Sequence, residues 1–333
     1  MHDSKSGLTF SFHHLIFMHD LQITYCHGSE NFFLNVDGLT SQFNFKEVDY
    51  QQFTIDAVSQ LSGIKIDGIL YLLPSKKADA RMRIFNRDGS EAEMCGNGFR
   101  CLGKKLWQIT GKSTYQIETL SGILKGQKLP DMFPQVDTYR ALFPKVNFNY
   151  KEKVIDNQII KELSPDLKFS SVNIGNPHLI TQVNDFDVEK LIEIGKKINH
   201  QCRLFPQGNN LSFYKVLSDN RLSVLTYERG VGPTASCGTA MAAVSVLAAH
   251  HKQVKAGQQI EVYSPGGMLV CQPEKKETYQ VMLSGNATFE QQFQLTYDSH
   301  NRKISAIRNV EYFQDEIQAY NTFKSHIKHT LIL

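Results

Sequence analysis

Apolar residues recur along this chain with two periods, one typical of strands and one typical of helices, and one order of elements appears twice. The first half is predicted to contain strands at 21–36, 66–73 and 80–86, a helix at 49–62, and a helix after Cys95. The second half is predicted to contain strands at 170–174, 211–216 and 222–228, a helix at 188–198, a helix after Cys237, and strands at 268–272 and 279–284. This order predicts two α/β domains of similar design.

Two pairs of residues reinforce this repeat. Cys95 and Cys237 lie 142 positions apart, and Asn31 and Asn176 lie 145 positions apart. Offsets as similar as these are expected if the two halves descend from one duplicated domain, and a structural accident is the alternative. The segment 128–149 contains three prolines and no clear period, so we expect the linker between the halves there.

The C-terminal tail carries a different signal. Apolar residues follow one another in steps of three or four, which predicts an amphipathic helix over 301–333. These residues are Ile304, Ile307, Val310, Phe313, Ile317, Tyr320, Phe323 and Ile327. We expect this face to pack against the rest of the protein, and a partner-binding helix is the alternative.

The composition is typical of a soluble globular enzyme. Apolar residues make up 41% and charged residues 21%, and the net charge of +3 is not gathered into a basic block, which disfavours nucleic-acid binding. No stretch approaches the roughly 20 uninterrupted apolar residues that span a bilayer. The six cysteines are too sparse for a disulfide scaffold and lack the close pairs of zinc sites. We therefore expect a cytoplasmic protein that acts on small molecules, with no nucleic-acid or membrane partner.

Cys95 and Cys237 have similar surroundings. Each follows a turn-rich stretch, precedes a glycine, and opens a segment with helical apolar spacing. Both thiols are thus predicted near helix N-termini, where free N–H groups and the helix dipole favour anions, including a substrate carboxylate. Such a position can lower the pKa of a thiol from about 8.5 to roughly 3.5–7.5. The other cysteines are expected to be inert apolar side chains: Cys26, Cys101, Cys202 and Cys271.

Two thiols on opposite faces of an α-carbon are sufficient to invert an amino acid. One thiolate removes the α-proton while the opposing thiol donates a proton, and the roles reverse in the other direction. This chemistry needs no pyridoxal phosphate or other cofactor, and no metal. A redox disulfide between Cys95 and Cys237 is the other chemistry that the pair allows.

Three sequence blocks resemble those of a known enzyme family. They are Asn86-Arg87-Asp88-Gly89-Ser90-Glu91 through Arg100, Gly175-Asn176-Pro177-His178, and Glu228-Arg229-Gly230-Val231-Gly232 through Thr239. In this order they resemble the signature blocks of the diaminopimelate epimerases. These cofactor-independent enzymes interconvert LL- and meso-2,6-diaminopimelate, a precursor of lysine and peptidoglycan. The resemblance spans about residues 22–297.

The resemblance implies roles for individual residues. Cys95 and Cys237 would be the catalytic base and acid, with His178 and Glu228 assisting the proton transfers. Diaminopimelate would be held by Asn31, Asn86, Gly96, Asn97, Asn176, Asn210, Arg229, Gly238 and Thr239. Arg229 would clamp the distal carboxylate with its planar fork, and backbone groups at the two helix N-termini would hold the reacting carboxylate. No metal or cofactor is implied, and a homodimer is expected.

The same resemblance implies a fold of two pseudo-symmetric domains, each with a β-barrel-like sheet around a central helix. The first domain would cover 18–140 and the second 141–284, with strands at about 285–298 returning to the first domain. Residues 1–17 and 301–333 would be extensions. Because such enzymes begin near residue 18, we expect the first segment to be a misplaced start or a disordered extension.

Four positions depart from the residues usual in the family: Glu30, Phe32, Pro233 and Ala240. They leave the thiols in place but change their surroundings, so two rival functions stay open. One is a racemase of another amino acid, such as histidine or proline, on the same scaffold. The other is a catalytically silent protein that binds a small ligand or a partner. Phenazine-type isomerases share the fold but lack the cysteine pair.

Overall fold

Strands contain more residues than helices in the computed structural model, which describes residues 17–150, 153–200 and 202–331. The first half contains β1 (Met18–Gly28), β2 (Asn31–Asp37), α1 (Glu47–Gln60), β3 (Gly68–Leu73), β4 (Ala80–Asn86), β5 (Glu91–Ala92), α2 (Gly96–Thr110), β6 (Thr114–Thr119) and β7 (Gly122–Leu129). The chain continues through β8 (Thr138–Val146), β9 (Asn149–Tyr150), β10 (Lys153–Val154) and β11 (Gln158–Ile159).

The second half repeats the order of the first. It contains β12 (Lys168–Asn173), β13 (Pro177–Gln182), α3 (Val188–Asn199), β14 (Asn210–Ser218), β15 (Arg221–Glu228), β16 (Gly232–Thr234), α4 (Gly238–His250), β17 (Ile260–Ser264) and β18 (Gly267–Lys275). The chain ends with β19 (Tyr279–Asn286), β20 (Thr288–Asp298), β21 (Lys303–Tyr312) and α5 (Gln314–Leu331). Nineteen of the described strands form one hydrogen-bonded sheet, and β9 pairs with β10 separately.

Each helix of the repeat connects two parallel strands. In the first half α1 connects β2 to β3, and α2 lies between the parallel strands β4 and β6. In the second half α3 connects β13 to β14, and α4 lies between β15 and β17. The two cysteines therefore occupy equivalent places, each just before the second crossover helix of its half.

Strands surround the two helices that follow the cysteines. Helix α4 contacts strands β12 to β15 and β17 to β19, and residues Gly238 through Ala249 are all buried. Its sequence is apolar on every side, which is the pattern expected of a fully enclosed helix. Helix α2 contacts β1 to β4, β7 and β8. The predicted fold class, a mixed α/β protein with sheet around central helices, is confirmed.

The expected linker at 128–149 contains a strand. Strand β8 pairs with β7 on one side and with β19 on the other, so it joins the two halves through hydrogen bonds. Pro144 lies where the pairing with β19 is irregular, which a residue without an N–H group requires. The three prolines of this segment indicated a linker, so the strand was not predicted.

The tail is only partly helical. The prediction of a helix from residue 301 is wrong for Lys303–Tyr312, which form β21 and pair with β20, and α5 begins at Gln314. Three apolar residues of this segment are β-branched, which favours a strand when a sheet edge is available. Strand β20 also pairs with β1.

The predicted extension at 1–17, apart from Phe17, and residues 332–333 lie outside the described residues. Within the described chain, no helix has the length and apolarity needed to cross a membrane.

Candidate active site

A cavity of about 370 Å³ contains both cysteines in its wall. Cys95 is the N-cap of α2 and Cys237 is the N-cap of α4, both with extended backbone angles. The predicted placement of the two thiols at helix N-termini is thus confirmed. Because the N–H groups of a first helical turn have no acceptor within the helix, both ends direct donors and partial positive charge toward the cavity.

The two helix N-termini pack directly against each other. A Cβ atom added at Gly238 would lie 2.8 Å from Asn97 Oδ1, and one added at Gly96 would lie 3.0 Å from a methyl group of Leu283. Glycine after Cys237 therefore avoids a clash with Asn97, and glycine after Cys95 avoids a tight contact with Leu283. This contact brings the Cys95 and Cys237 loops to the same cavity.

The Cys95 thiol is half-buried and lies between a backbone amide and an asparagine. Its Sγ accepts from the Gly98 N–H at 3.5 Å and lies 3.7 Å from Asn31 Oδ1. Burial raises the pKa of the Cys95 thiol to about 12, although the amides of Gly98 and Asn97 oppose the rise. The expected lowering of this pKa is wrong for the unliganded protein, because loss of hydration outweighs the effect of the helix N-terminus.

The Cys237 thiol is buried beside a carboxyl group. Its Sγ lies 3.5 Å from Thr239 Oγ1, and burial followed by the charge of Glu228 raises the pKa of this thiol well above its usual value. The expected lowering is wrong here too. Burial also raises the pKa of Glu228 to about 7, and contacts with Thr234 and Cys237 oppose that rise. Thr234 donates to Glu228 Oε1 at 2.6 Å.

His178 is buried in β13 and does not line the cavity, whereas the sequence analysis placed it in a polar turn. Its Nε2 lies 3.1 Å from Asn176 Oδ1, and Asn176 Nδ2 donates to Thr239 Oγ1 at 3.2 Å. Burial, and then the charge of Arg229, lowers the pKa of His178 to about 3. The neutral imidazole therefore orients the Asn176 side chain toward Thr239, which is in the first turn of α4.

Asn97 links the two cysteine loops. Its Nδ2 donates to Asn31 Oδ1 at 3.2 Å and to the Ser236 carbonyl at 3.1 Å. Its Oδ1 accepts from the buried Arg100 at 3.0 Å. Asn31 Nδ2 in turn donates to Asp67 Oδ2 at 3.3 Å. The side chain of Asn97 therefore finds its hydrogen-bond partners within the protein, and its backbone N–H faces the Cys95 thiol.

Arg229 is the one positively charged side chain among the described residues that line the cavity, and it lies near the mouth. Arg229 Nη2 lies 3.1 Å from Glu93 Oε2, and Asn210 Oδ1 accepts from the Arg229 backbone N–H at 2.9 Å. Asn210 Nδ2 donates to the Pro177 carbonyl at 3.0 Å, and Asn86 Nδ2 donates to Ser90 Oγ at 3.1 Å. Asn210 thus fixes the backbone that presents Arg229.

The fold brings most of the predicted site residues to this one cavity. Its wall contains Asn31, Asn86, Cys95, Asn97, Asn176, Asn210, Glu228, Arg229, Cys237, Gly238 and Thr239. Gly96 and His178 are adjacent but do not line it. Five further polar wall residues were not among the predicted site residues: Asp67, Ser90, Glu91, Glu93 and Gln207. Thr234, which bonds Glu228, was not among them either. Glu93 lies two positions before Cys95, and this proximity could have suggested it. No sequence feature near Asp67 suggested a place in the cavity wall.

The four positions that depart from the family pattern lie around the cavity. Ala240 is buried in α4, and Pro233 is exposed in β16. Phe32 stacks on Tyr25 with ring centroids 5.5 Å apart, and Glu30 pairs with Lys324 of α5. None of the four lines the cavity.

A possible group of metal ligands lies elsewhere. Asp156, His250 and His251 bring their ligand atoms within 4.8 Å of one another, and His251 Nε2 already pairs with Asp156 Oδ1 at 2.8 Å. None of the three lines the cavity that contains the thiols.

Comparison with known proteins identifies the family. A sequence profile of diaminopimelate epimerase matches residues 23–136 and 170–290. A diaminopimelate epimerase of Clostridium acetobutylicum is 38% identical over 92% of this chain and 95% of its own length. One from Listeria welshimeri is 35% identical over 93% of this chain and 98% of its own length.

Solved structures with low sequence identity share the fold. A hydroxyproline epimerase from Agrobacterium vitis aligns with a TM-score of 0.66 at 15% identity, over 84% of this chain and 92% of its own. A phenazine biosynthesis protein of the PhzF family from Bacillus anthracis aligns with a TM-score of 0.63 at 16% identity, over 83% of this chain and 98% of its own. These alignments show the fold, and the profile match together with the sequence identity to the two relatives shows that the chain belongs to the diaminopimelate epimerase family.

Proposed function

We propose that this protein is a cofactor-independent isomerase that interconverts LL- and meso-2,6-diaminopimelate, and so supplies precursors of lysine and peptidoglycan. The observation that carries the proposal is the pair of thiols at two abutting helix N-termini in one cavity. Family membership and the names of the relatives support diaminopimelate as the substrate.

Both thiols are expected to be neutral near pH 7, because their pKa values are raised. Catalysis needs one thiolate and one thiol, so one proton must leave the pair first. Glu228 can accept the Cys237 proton, since the pKa of Glu228 is about 7 and the two groups are neighbours. The Cys237 thiolate then removes the α-proton while Cys95 protonates the opposite face.

One turnover interchanges the two thiol states. Cys237 ends as a thiol and Cys95 ends as a thiolate, which is the arrangement required for the reverse reaction. One proton-accepting group beside Cys237 is therefore sufficient for the forward and the reverse epimerisation. Glu228 keeps the displaced proton throughout, and His178, neutral and bonded to Asn176, contributes by orientation.

The reacting carboxylate would lie between the two helix N-termini. The backbone N–H groups of Gly96, Asn97, Gly238 and Thr239 are in the first turns of α2 and α4, where anions are stabilised. The same donors would stabilise the carbanion as its charge spreads onto the carboxylate oxygens. Arg229, with Asn86, Asn176 and Asn210 nearby, would bind the distal amino-acid end of the substrate.

The test is deuterium incorporation. Reduced protein is incubated with LL-diaminopimelate in deuterated water, and α-deuterium uptake and meso product are followed for wild type, Cys95→Ala and Cys237→Ala. We expect uptake and product in wild type and loss of product in both variants. Cys202→Ala is the matched control, because Cys202 does not line the cavity. A folded, reduced wild type that incorporates no deuterium contradicts the proposal, and histidine and proline are then the next substrates to test.

We further propose that the enzyme is cytoplasmic and homodimeric. The six described cysteines are all free, which suits a reducing compartment. Among the described strands β21 pairs only with β20, and it exposes Ile307, Val310 and Tyr312. A dimer through this edge would cover them. Light scattering at micromolar concentration tests the proposal, and a monomeric mass contradicts it.

A further inference from the structure

The C-terminal helix α5 packs beside two loops of the cavity. One carries Asn31, and the other, reached through Gly266, carries Cys237. The family profile matches this chain up to residue 290, whereas α5 begins at Gln314. The helix nevertheless packs its apolar face across the molecule, with Tyr320, Phe323 and Ile327 buried against Val136 and Tyr263. Its position is therefore fixed by the core.

The first contact is with the loop that carries Asn31. Lys324 of α5 pairs with the Glu30 carboxylate, and the Tyr320 ring lies 4.5 Å from the His27 ring between centroids. Ser29 and Glu30 have φ angles of 53° and 60°, which non-glycine residues adopt only when their surroundings enforce them. The next residue, Asn31, lies against the Cys95 thiol.

The second contact is with Gly266, in the turn between β17 and β18, and through Gly266 it reaches the loop that carries Cys237. The Tyr320 hydroxyl donates to the Gly266 carbonyl, and the Gly266 N–H donates to the Ala235 carbonyl at 2.8 Å, two residues before Cys237. A Cβ atom added at Gly266 would lie 2.2 Å from the Ser29 carbonyl oxygen. The Asn31 loop and the Cys237 loop thus meet at Gly266, and Tyr320 is bonded to that residue.

The third contact is with the helix that follows Cys95. Glu316 of α5 accepts from Lys104 Nζ at 2.6 Å and from the Phe289 N–H at 2.8 Å. Lys104 belongs to α2 and is 1% exposed. A buried ammonium group needs such a carboxylate, so this pair ties α5 to α2.

We propose that α5 is a strap that positions the Asn31 loop and the Cys237 loop for proton transfer, with Tyr320 and Lys324 as its positioning residues. Two-base inversion requires the thiols on opposite faces of one carbon atom, and a displacement of about 1 Å in such an arrangement can reduce the rate about 100-fold. The catalytic consequence rests on the proposed function, whereas the positioning itself does not.

The kinetic test uses Tyr320→Phe and a charge exchange between Glu30 and Lys324. We expect Tyr320→Phe to lower kcat about tenfold with KM changed less than about threefold, because the loops move while the substrate contacts remain. Glu30→Lys and Lys324→Glu should each lower kcat, and the double variant should recover most of it. Tyr115→Phe is the matched control, since the buried hydroxyl of Tyr115 has no hydrogen-bond partner among the described residues.

Amide hydrogen exchange tests the positioning without any substrate. In Tyr320→Phe we expect faster exchange in peptides covering 27–31 and 234–238, and unchanged exchange in the middle of α4. This measurement remains decisive if the wild type does not epimerise diaminopimelate, which would refute the proposed function alone. Unchanged exchange in both loops, or an equal increase throughout the protein, contradicts the proposal that α5 positions these loops. Unchanged kcat in an active enzyme, or failure of the double variant to recover, also overturns it.

Discussion

Arg229 Nη2 lies 3.1 Å from Glu93 Oε2 across the mouth of the cavity, in an ion pair between the two halves of the chain. The guanidinium that would bind the distal carboxylate of the substrate therefore already has a carboxylate partner. An adjacent cation and anion complement the distal end of diaminopimelate, which carries both an ammonium and a carboxylate. Both residues are consequently expected to determine substrate affinity.

Replacing Glu93 by Gln tests its part in this recognition. We expect KM for diaminopimelate to rise about tenfold or more with kcat little changed, because a charge-assisted hydrogen bond to the distal ammonium is lost. Steady-state kinetics measures both values. A lower KM in the variant would contradict this prediction and would show that Glu93 only competes with the substrate for Arg229.

Replacing Arg229 by Lys removes the planar fork but keeps the charge. We expect KM to rise at least about tenfold while the melting temperature stays close to that of wild type, because Arg229 is partly exposed and its backbone is held by Asn210. Arg221→Lys is the control, since Arg221 lies on β15 and pairs with Glu261 outside the cavity. Unchanged kinetics in Arg229→Lys would remove the distal clamp from the proposal.

The raised thiol pKa values predict slow alkylation at neutral pH. Because the pKa of Cys95 is about 12, its thiolate fraction should rise about tenfold for each pH unit between 7 and 9. Iodoacetamide labelling of Cys95, followed by peptide mass spectrometry in a Cys202→Ala background, should show this slope without a plateau. A plateau below pH 8 would mean that the helix N-terminus controls this thiol after all.

The raised pKa of Glu228 predicts a pH-dependent stability. Between the ordinary glutamate value and about 7, the folded protein keeps a proton that the unfolded chain has lost, so this group makes the protein less stable as pH rises through that range. Glu228→Gln should therefore gain stability relative to wild type from pH 5 to pH 8. Urea denaturation at several pH values measures the difference, and a constant difference would contradict the assignment.

The contact between the two helix N-termini predicts the effect of filling it. Gly238→Ala would place a methyl group 2.8 Å from Asn97 Oδ1, so we expect a loss of about 1 to 3 kcal/mol in the free energy of unfolding, together with a lower kcat. Gly63→Ala is the control, because a Cβ atom there meets nothing within 4 Å. Equal stability of the two variants would show that the loops can move apart at no cost.

Local pattern was sufficient to predict the two helices that begin at the cavity and the position of its thiols. The helices after Cys95 and Cys237 have clear starts, and the turns before them are short, so both thiols could be placed at helix N-termini. Most polar wall residues lie in the three sequence blocks that resemble the family. In each of these cases the decisive information lies within a few neighbouring residues, where backbone preference and side-chain spacing act.

Other features depended on residues that are distant in sequence, so only the tertiary structure determined them. Whether 303–312 became helix or strand depended on the free edge of β20, and whether 138–146 became a strand depended on β7 and β19. The thiol pKa values depended on how completely the surrounding chain removes water, an effect that outweighed the local helix N-terminus. Pairing, burial and the meeting of Arg229 with Glu93 are properties of tertiary structure, because they join residues that no local period relates.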